Sequence, residues 1–309
     1  MALHRRPEGR GTRVTVLTRP TTAAPSSRTT VTRRRRRGPG ASRVVLYTLL
    51  TVGAVVSIFP LYWLFVMASN TTSDIYKSPP VFVPGPWLFQ NIGEVFDKID
   101  FGGALLNTVI VSVSVTALVL FFDSLAAFTF AKFDFPLRKT LFTIVLVTFM
   151  LPMQLSIIPQ FITMTNLGWV GHLQALIVPA AANAFGIFWL RQYILSSVPD
   201  ELMDAAVIDG AGFFRQWWTV CIPLIRPGLG FLGIFTFIGS WNDYLWPLIV
   251  LNDPNHLTLQ VAMAQLNTTF ANNYSMVMAG ALLSVLPLLV VFLIGARQFI
   301  GDIAKGAIK

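Results

Sequence analysis

The stretch GALLNTVIVSVSVTALVLFFDSLAAFTF, residues 103–130, carries one ionisable side chain, Asp123. A helix rises 1.5 Å per residue, so about 20 apolar residues cross a hydrocarbon layer of about 30 Å. This run is long enough to do so. Its alternation is weak and its length excessive for a barrel strand of about 10 residues, which argues against a β-barrel. Working outward, five more apolar runs of spanning length fall at 44–69, 141–164, 174–194, 224–250 and 276–296. The whole chain of 309 residues is 54% hydrophobic and 12% charged, where a soluble domain carries about 25% charged residues. Its mean hydropathy is +0.64. Several runs contain Pro or Gly, which membrane helices tolerate when neighbouring groups satisfy the freed backbone. The expected fold class is an all-α integral membrane protein with six transmembrane helices and no evident internal repeat.

Orientation follows from the basic residues, because Lys and Arg are retained on the cytoplasmic side. With the N-terminus inside, 21 of the 23 Lys and Arg fall at cytoplasmic segments or helix ends, among them Lys132, Arg138, Lys139, Arg191, Arg215, Arg226 and Arg297. Only Lys77 and Lys98 are then external, in the 70–102 loop. Both termini are expected in the cytoplasm, and the 165–173 and 251–275 connections outside.

The formal charge of +9 is unevenly placed: residues 1–43 hold twelve Arg against one acid, Glu8. This segment of Pro, Thr, Ser, Gly and Arg cannot bury a core and reads as a disordered cytoplasmic tail attracted to anionic lipid. It accompanies no folded nucleic-acid reader, so nucleic acid is not an expected partner. It also lacks the apolar segment and small-residue cleavage site of a secretory signal before the first full-length span. The domain reading is thus a tail over 1–43 and a six-helix membrane domain over 44–309. The single cysteine, Cys221, can form no internal disulfide and reads as a packing residue. His4, His172 and His256 match no metal-ligand or catalytic spacing, so neither chemistry is assigned to them.

Between the fourth and fifth runs, the expected cytoplasmic connection 195–223 includes VPDELMDAAVIDGAGFFRQWWTVCIP, residues 198–223. It reads as two short helices. Pro199 suits a helix start, Asp200 and Glu201 suit the positive end of the helix dipole, and Gly210 supplies a stop. Leu202, Ala205 and Ala206 suggest a low-relief apolar face with Asp204 beside it. Phe213, Phe214, Trp217 and Trp218 present too much aromatic surface to be left wholly in water.

This connection resembles the coupling loop of ATP-binding-cassette importer permeases, written E-A-A, three residues, Gly, nine residues, then I-x-L-P. Asp204-Ala205-Ala206 takes the first part, Gly210 the glycine and Val220-Cys221-Ile222-Pro223 the end, with every spacing kept. Asp stands where the family has Glu, which keeps the charge on a shorter arm. The resemblance covers nearly all of 44–309 and is similar to the second permease of maltose-type carbohydrate importers. It is carried further by Asn107-Thr108 through Phe133, Met150 to Gln192, and Trp241-Asn-Asp-Tyr-Leu-Trp-Pro-Leu248.

The resemblance implies a bacterial cytoplasmic-membrane subunit that pairs with a second permease. Two ATPase subunits and an extracytoplasmic solute-binding protein complete the assembly. It assigns the ATPase contact to Glu201, Asp204, Ala205, Ala206, Asp209, Gly210, Ala211 and Pro223. No G-x-x-x-x-G-K-[ST] loop occurs in the chain, so ATP and Mg are expected to act on the partner ATPase and no cofactor on this chain.

Polar groups at membrane depth are costly and mark sites by default. Trp241, Asn242, Asp243 and Tyr244 combine aromatic faces with amide, carboxylate and phenol groups, a mix suited to sugar, and are the candidate solute pathway. Helix packing is the competing role for the same residues. Asp123 suits pairing or helix capping, and Met150, Pro152 and Gln154 interrupt the third run as a hinge or a packing kink. The function expected is a sugar importer permease, not an enzyme. A permease for glycerol-phosphate-type polyols and an ion-coupled secondary transporter are the alternatives.

Overall fold

The computed structural model describes residues 41–267 and 273–306. Nearly all of the basic tail, residues 268–272 and the last three residues lie outside the described residues. Helix α1 (Ala41–Ser69) begins the described chain, which divides into two units between Ala54 and Val55. In the first unit, the α1 side chains from Val44 to Leu50 are largely exposed and apolar, as on a helix whose solvent is hydrocarbon.

The second unit is helical, with no strand among its described residues. Its principal helices are α2 (Leu88–Lys98), α3 (Phe101–Lys132), α4 (Arg138–Met150), α5 (Ile157–Asn166), α6 (Ala184–Ser197) and α7 (Asp200–Ile208). They continue with α8 (Arg226–Trp241), α9 (Leu245–Val250), α10 (Leu259–Gln265) and α11 (Tyr274–Gly306). α3 is the hub. Asp100 caps its start by accepting the Gly103 N–H at 2.9 Å, which satisfies one of the orphan donors of a first turn. Val111, Val115, Val119, Ala127, Phe128 and Ala131 are buried at helical spacing along it. That stripe packs against α6 and α8, while α11 packs on α8 and α2. A second cluster gathers Phe237 and Trp241 of α8 with Met276 and Ala279 of α11.

Three of the expected spans are single apolar helices: Arg43–Ser69, Phe101–Lys132 and Tyr274–Ile294. The other three runs are interrupted. Within 141–164 the chain bends by 93° between Arg138–Met150 and Gln154–Asn166, because Pro152 has no N–H to continue a helix and disfavours the helical conformation at Leu151. The 174–194 run divides into a helical turn, Gln174–Ile177, and α6. Asn183 resets the chain there, its side chain accepting the Gly186 N–H at 2.8 Å. The 224–250 run stops at Trp241 and restarts at Leu245, and upstream the pair Phe213–Leu224 and Arg226–Trp241 is bent by 83°. Counting each bent pair once, up to five segments among the described residues are apolar and long enough to cross.

Candidate functional site

The basic end of α3 meets the 195–223 connection through one cation. Lys132 is nearly buried, with 6% of its side chain exposed, and a buried ammonium requires acceptors. It donates to Val198 O at 2.6 Å and to Asp200 Oδ1 at 2.5 Å, which ties the start of α7 to the hub helix. Pro199 is the N-cap, with extended backbone, and Asp200 and Glu201 occupy the first turn.

The end of α7 is set by Gly210, whose φ of 73° lies in the left-handed region. The Ala211 N–H donates to Ala206 O and the Gly210 N–H to Val207 O, both at 2.9 Å. That pair of bonds is a Schellman motif, whose left-handed position favours Gly, which has no Cβ to strain it. The stop read from the sequence at Gly210 therefore has a defined geometry.

The Ala pair does not form one face, contrary to the sequence expectation. Ala206 is buried with Met203, whereas Ala205 is exposed with Glu201, Leu202, Asp204, Val207, Ile208 and Asp209. The reason is the 100° advance between successive helical residues, which sends neighbours to different sides. The free apolar strip is accordingly Leu202, Ala205 and Ile208. Beyond α7 the aromatic residues divide in the same way. Phe213 packs on Phe133 and Phe128 with centroids 5.1 and 5.5 Å apart, and Trp217 is buried, whereas Phe214 and Trp218 remain 65% and 63% exposed. Trp217–Cys221 forms a π-helical turn leading to Pro223, with Cys221 fully buried.

The second candidate group is split by the α8–α9 break. Trp241 is 1% exposed, stacks on Phe237 at 5.5 Å and donates its indole N–H to Ser284 O at 3.3 Å. It offers no face to a solute, which corrects its place in the candidate pathway: the 3.6-residue period turns it toward α11. Asn242 is exposed and donates its amide to Ile238 O at 2.8 Å, closing the end of α8. Asp243 is half-buried at the break, beside the backbone of Tyr244, Leu245 and Trp246, and Tyr244 is 42% exposed.

Asp123 serves α6. Its Oδ1 accepts the Asn183 N–H at 3.1 Å, and its Oδ2, without a hydrogen-bond partner among the described residues, lies 2.0 Å from where a Cβ on Gly186 would stand. The other end of the bundle holds contacts that sequence spacing concealed. Asn107 donates to Asn255 O and Leu257 O at 3.0 and 3.1 Å, and Thr108 Oγ1 accepts the Leu259 N–H at 2.7 Å. His172 and His256, distant in sequence, stand with ring centroids 5.6 Å apart, and His256 Nδ1 is 3.1 Å from Asp253 Oδ2. The Asp253 carboxyl is held below the usual carboxylate range, chiefly by the Asn255 backbone N–H it accepts.

A bundle of apolar helices with a short helix tethered to the basic end of its hub is the architecture of a helical membrane protein. The chain belongs to the binding-protein-dependent transport system inner membrane component family, whose model matches residues 123–298. It is 33% identical over 265 residues to the sn-glycerol-3-phosphate transport system permease protein UgpE of Yersinia pseudotuberculosis, covering 83% of this chain and 94% of that one. It is 35% identical to the lactose transport system permease protein LacG of Rhizobium radiobacter, covering 86% and 95%. It is 32% identical to the arabinooligosaccharides transport system permease protein AraQ of Halalkalibacterium halodurans, covering 86% and 97%. A chain of a bacterial ABC transporter that imports the acidic polysaccharide alginate superposes with a TM-score of 0.73 at 24% identity, over 85% of this chain and 98% of that one. That likeness speaks for the fold. The family assignment removes the ion-coupled secondary transporter from consideration.

Proposed function

We propose that this chain is a permease subunit of a bacterial ATP-binding-cassette importer for carbohydrate, and that α7 with its flanking turns receives the motion of a separate ATPase. In this reading the chain crosses the cytoplasmic membrane six times with both termini inside. It forms the pathway with a second permease and accepts solute from an extracytoplasmic binding protein. ATP and Mg act on two partner ATPase subunits.

The observation that carries the coupling role is the construction of α7. Its strip of Leu202, Ala205 and Ile208 is free, while Met203 and Ala206 face inward and Lys132 binds its first turn to α3. A load applied to the free strip passes into the hub helix through the buried residues and the ammonium. Asn242 and Tyr244, at the α8–α9 break, remain the pathway candidates, with Asp243 holding the break in shape.

The experiment is an uptake and ATPase assay of the whole importer carrying Ala205→Trp. Overfilling a fitted contact costs roughly 1–3 kcal/mol, so solute-stimulated hydrolysis and co-purification of the ATPase should fall while this subunit stays inserted. Normal stimulation and uptake would remove α7 from the coupling role. A second solute class is favoured by the glycerol-phosphate relatives. Uptake of lactose-type or arabinose-type oligosaccharides against sn-glycerol 3-phosphate decides between them.

A further inference from the structure

A cavity of about 560 Å³ opens between the turn that follows α3, the start of α4, and α6, lined in part by Asp134, Arg138, Lys139, Phe142, Thr143 and Arg191. Its two arginines share one acceptor. Arg138 Nε and Arg191 Nε donate to Phe130 O at 3.1 and 3.2 Å, a carbonyl in the last turn of α3, where helix carbonyls lose their intrahelical partners. Arg191 also lies over the Phe142 ring, its Cζ 4.2 Å from the centroid, and Arg138 pairs with Asp134. Lys139 makes no ion pair among the described residues.

The charges do not balance: Arg138, Lys139 and Arg191 line the cavity with a single carboxylate, Asp134, which pairs with Arg138 and is itself almost fully exposed. Two guanidiniums fixed to one carbonyl repel each other, and partly buried charges are screened less than charges in water. An anion placed between them relieves that repulsion and takes the forked N–H groups that both still offer. From this pocket α4 runs away with Leu141, Ile144 and Val147 at three-residue spacing, 43%, 54% and 52% exposed. A cation cluster continued by an apolar track fits a ligand with a phosphate at one end and hydrocarbon at the other.

We propose that this cavity binds the phosphodiester headgroup of an anionic phospholipid, with an acyl chain laid along Leu141, Ile144 and Val147. On the reading of α3 as a span, its last turn and the start of α4 lie at the membrane boundary, where headgroups are found. The proposed topology enters only in naming the cytoplasmic leaflet as the source.

The test uses the complete importer in nanodiscs of phosphatidylcholine with a fraction of phosphatidylglycerol. Nanodiscs present both leaflets, so an error in sidedness leaves lipid binding unchanged and is detected separately by labelling. Phosphatidylglycerol retained after mild delipidation is counted by native mass spectrometry. Wild type should keep it selectively. Lys139→Gln, an exposed change without a folding partner, should lower retention about fivefold, the worth of one basic residue near an anionic surface. Ile144→Asn should lower it as well, and Lys77→Gln should not. No selective retention by wild type, or equal retention in Lys139→Gln, overturns the proposal. So does displacement of the lipid by excess inorganic phosphate with Ile144→Asn behaving as wild type, because the pocket is then a site for free phosphate.

Discussion

Gly210 is where a single backbone angle governs the candidate coupling element. At a φ of 73° an L-residue loses about 1–2 kcal/mol, and a β-branched one more. Gly210→Val should therefore fray the end of α7 and reduce ATPase co-purification with the chain still inserted. Gly210→Asn should do so much less, since Asn tolerates this conformation. Equal effects would mean that the backbone angle is not what matters there. Trp241 and Asn242 are adjacent in sequence but should respond differently. Trp241→Ala empties a buried site and should cost about 3–5 kcal/mol, read as a lower melting temperature of the purified complex. Asn242→Ala removes one exposed hydrogen bond at the end of α8 and should cost only about 0.5–1.5 kcal/mol while raising the solute concentration for half-maximal uptake. Unchanged uptake in Asn242→Ala would remove that residue from the pathway.

Among the elements, α6 depends on its neighbour for its start. Asn183 caps it from within and Asp123 of α3 accepts the Asn183 N–H, so the two helices are joined at a point where neither can be shifted freely. A methyl group at position 186 would meet Asp123 Oδ2 at 2.0 Å and Leu232 Cδ2 at 3.1 Å. Gly186→Ala should destabilise the subunit by roughly 1–3 kcal/mol, and the effect should be non-additive with Asp123→Ala because the two sites share the contact. Thermal melts of both single variants and the pair measure this, and strict additivity would show that the contact is not shared. Capping was legible as one role for Asp123, since a lone carboxylate in an apolar run must find a donor. Its partner was not, because Asn183 and Asp123 are 60 positions apart.

For the whole molecule, the proposed topology places Gly212, exposed in the turn after α7, on the cytoplasmic side. Cysteine introduced there, with the buried Cys221 replaced, should resist an impermeant thiol reagent applied to intact cells and react once the membrane is opened. Labelling from outside would invert the topology and move the α7 docking face away from any cytoplasmic ATPase.

The sequence by itself determined that the chain is a helical membrane protein, because run length and hydropathy are properties of contiguous residues. It determined the end of α7 for the same reason: Gly210 acts on its own backbone and on carbonyls three to four residues back. Its motif spacing also carried the transporter family. Tertiary structure alone decided which side of each helix is covered. It turned Ala206 and Trp241 inward, and gathered His172 with His256 and Arg138 with Arg191. Those outcomes depend on contacts between residues distant along the chain. Local periodicity places a side chain on a helix but does not say which helix will lie against it.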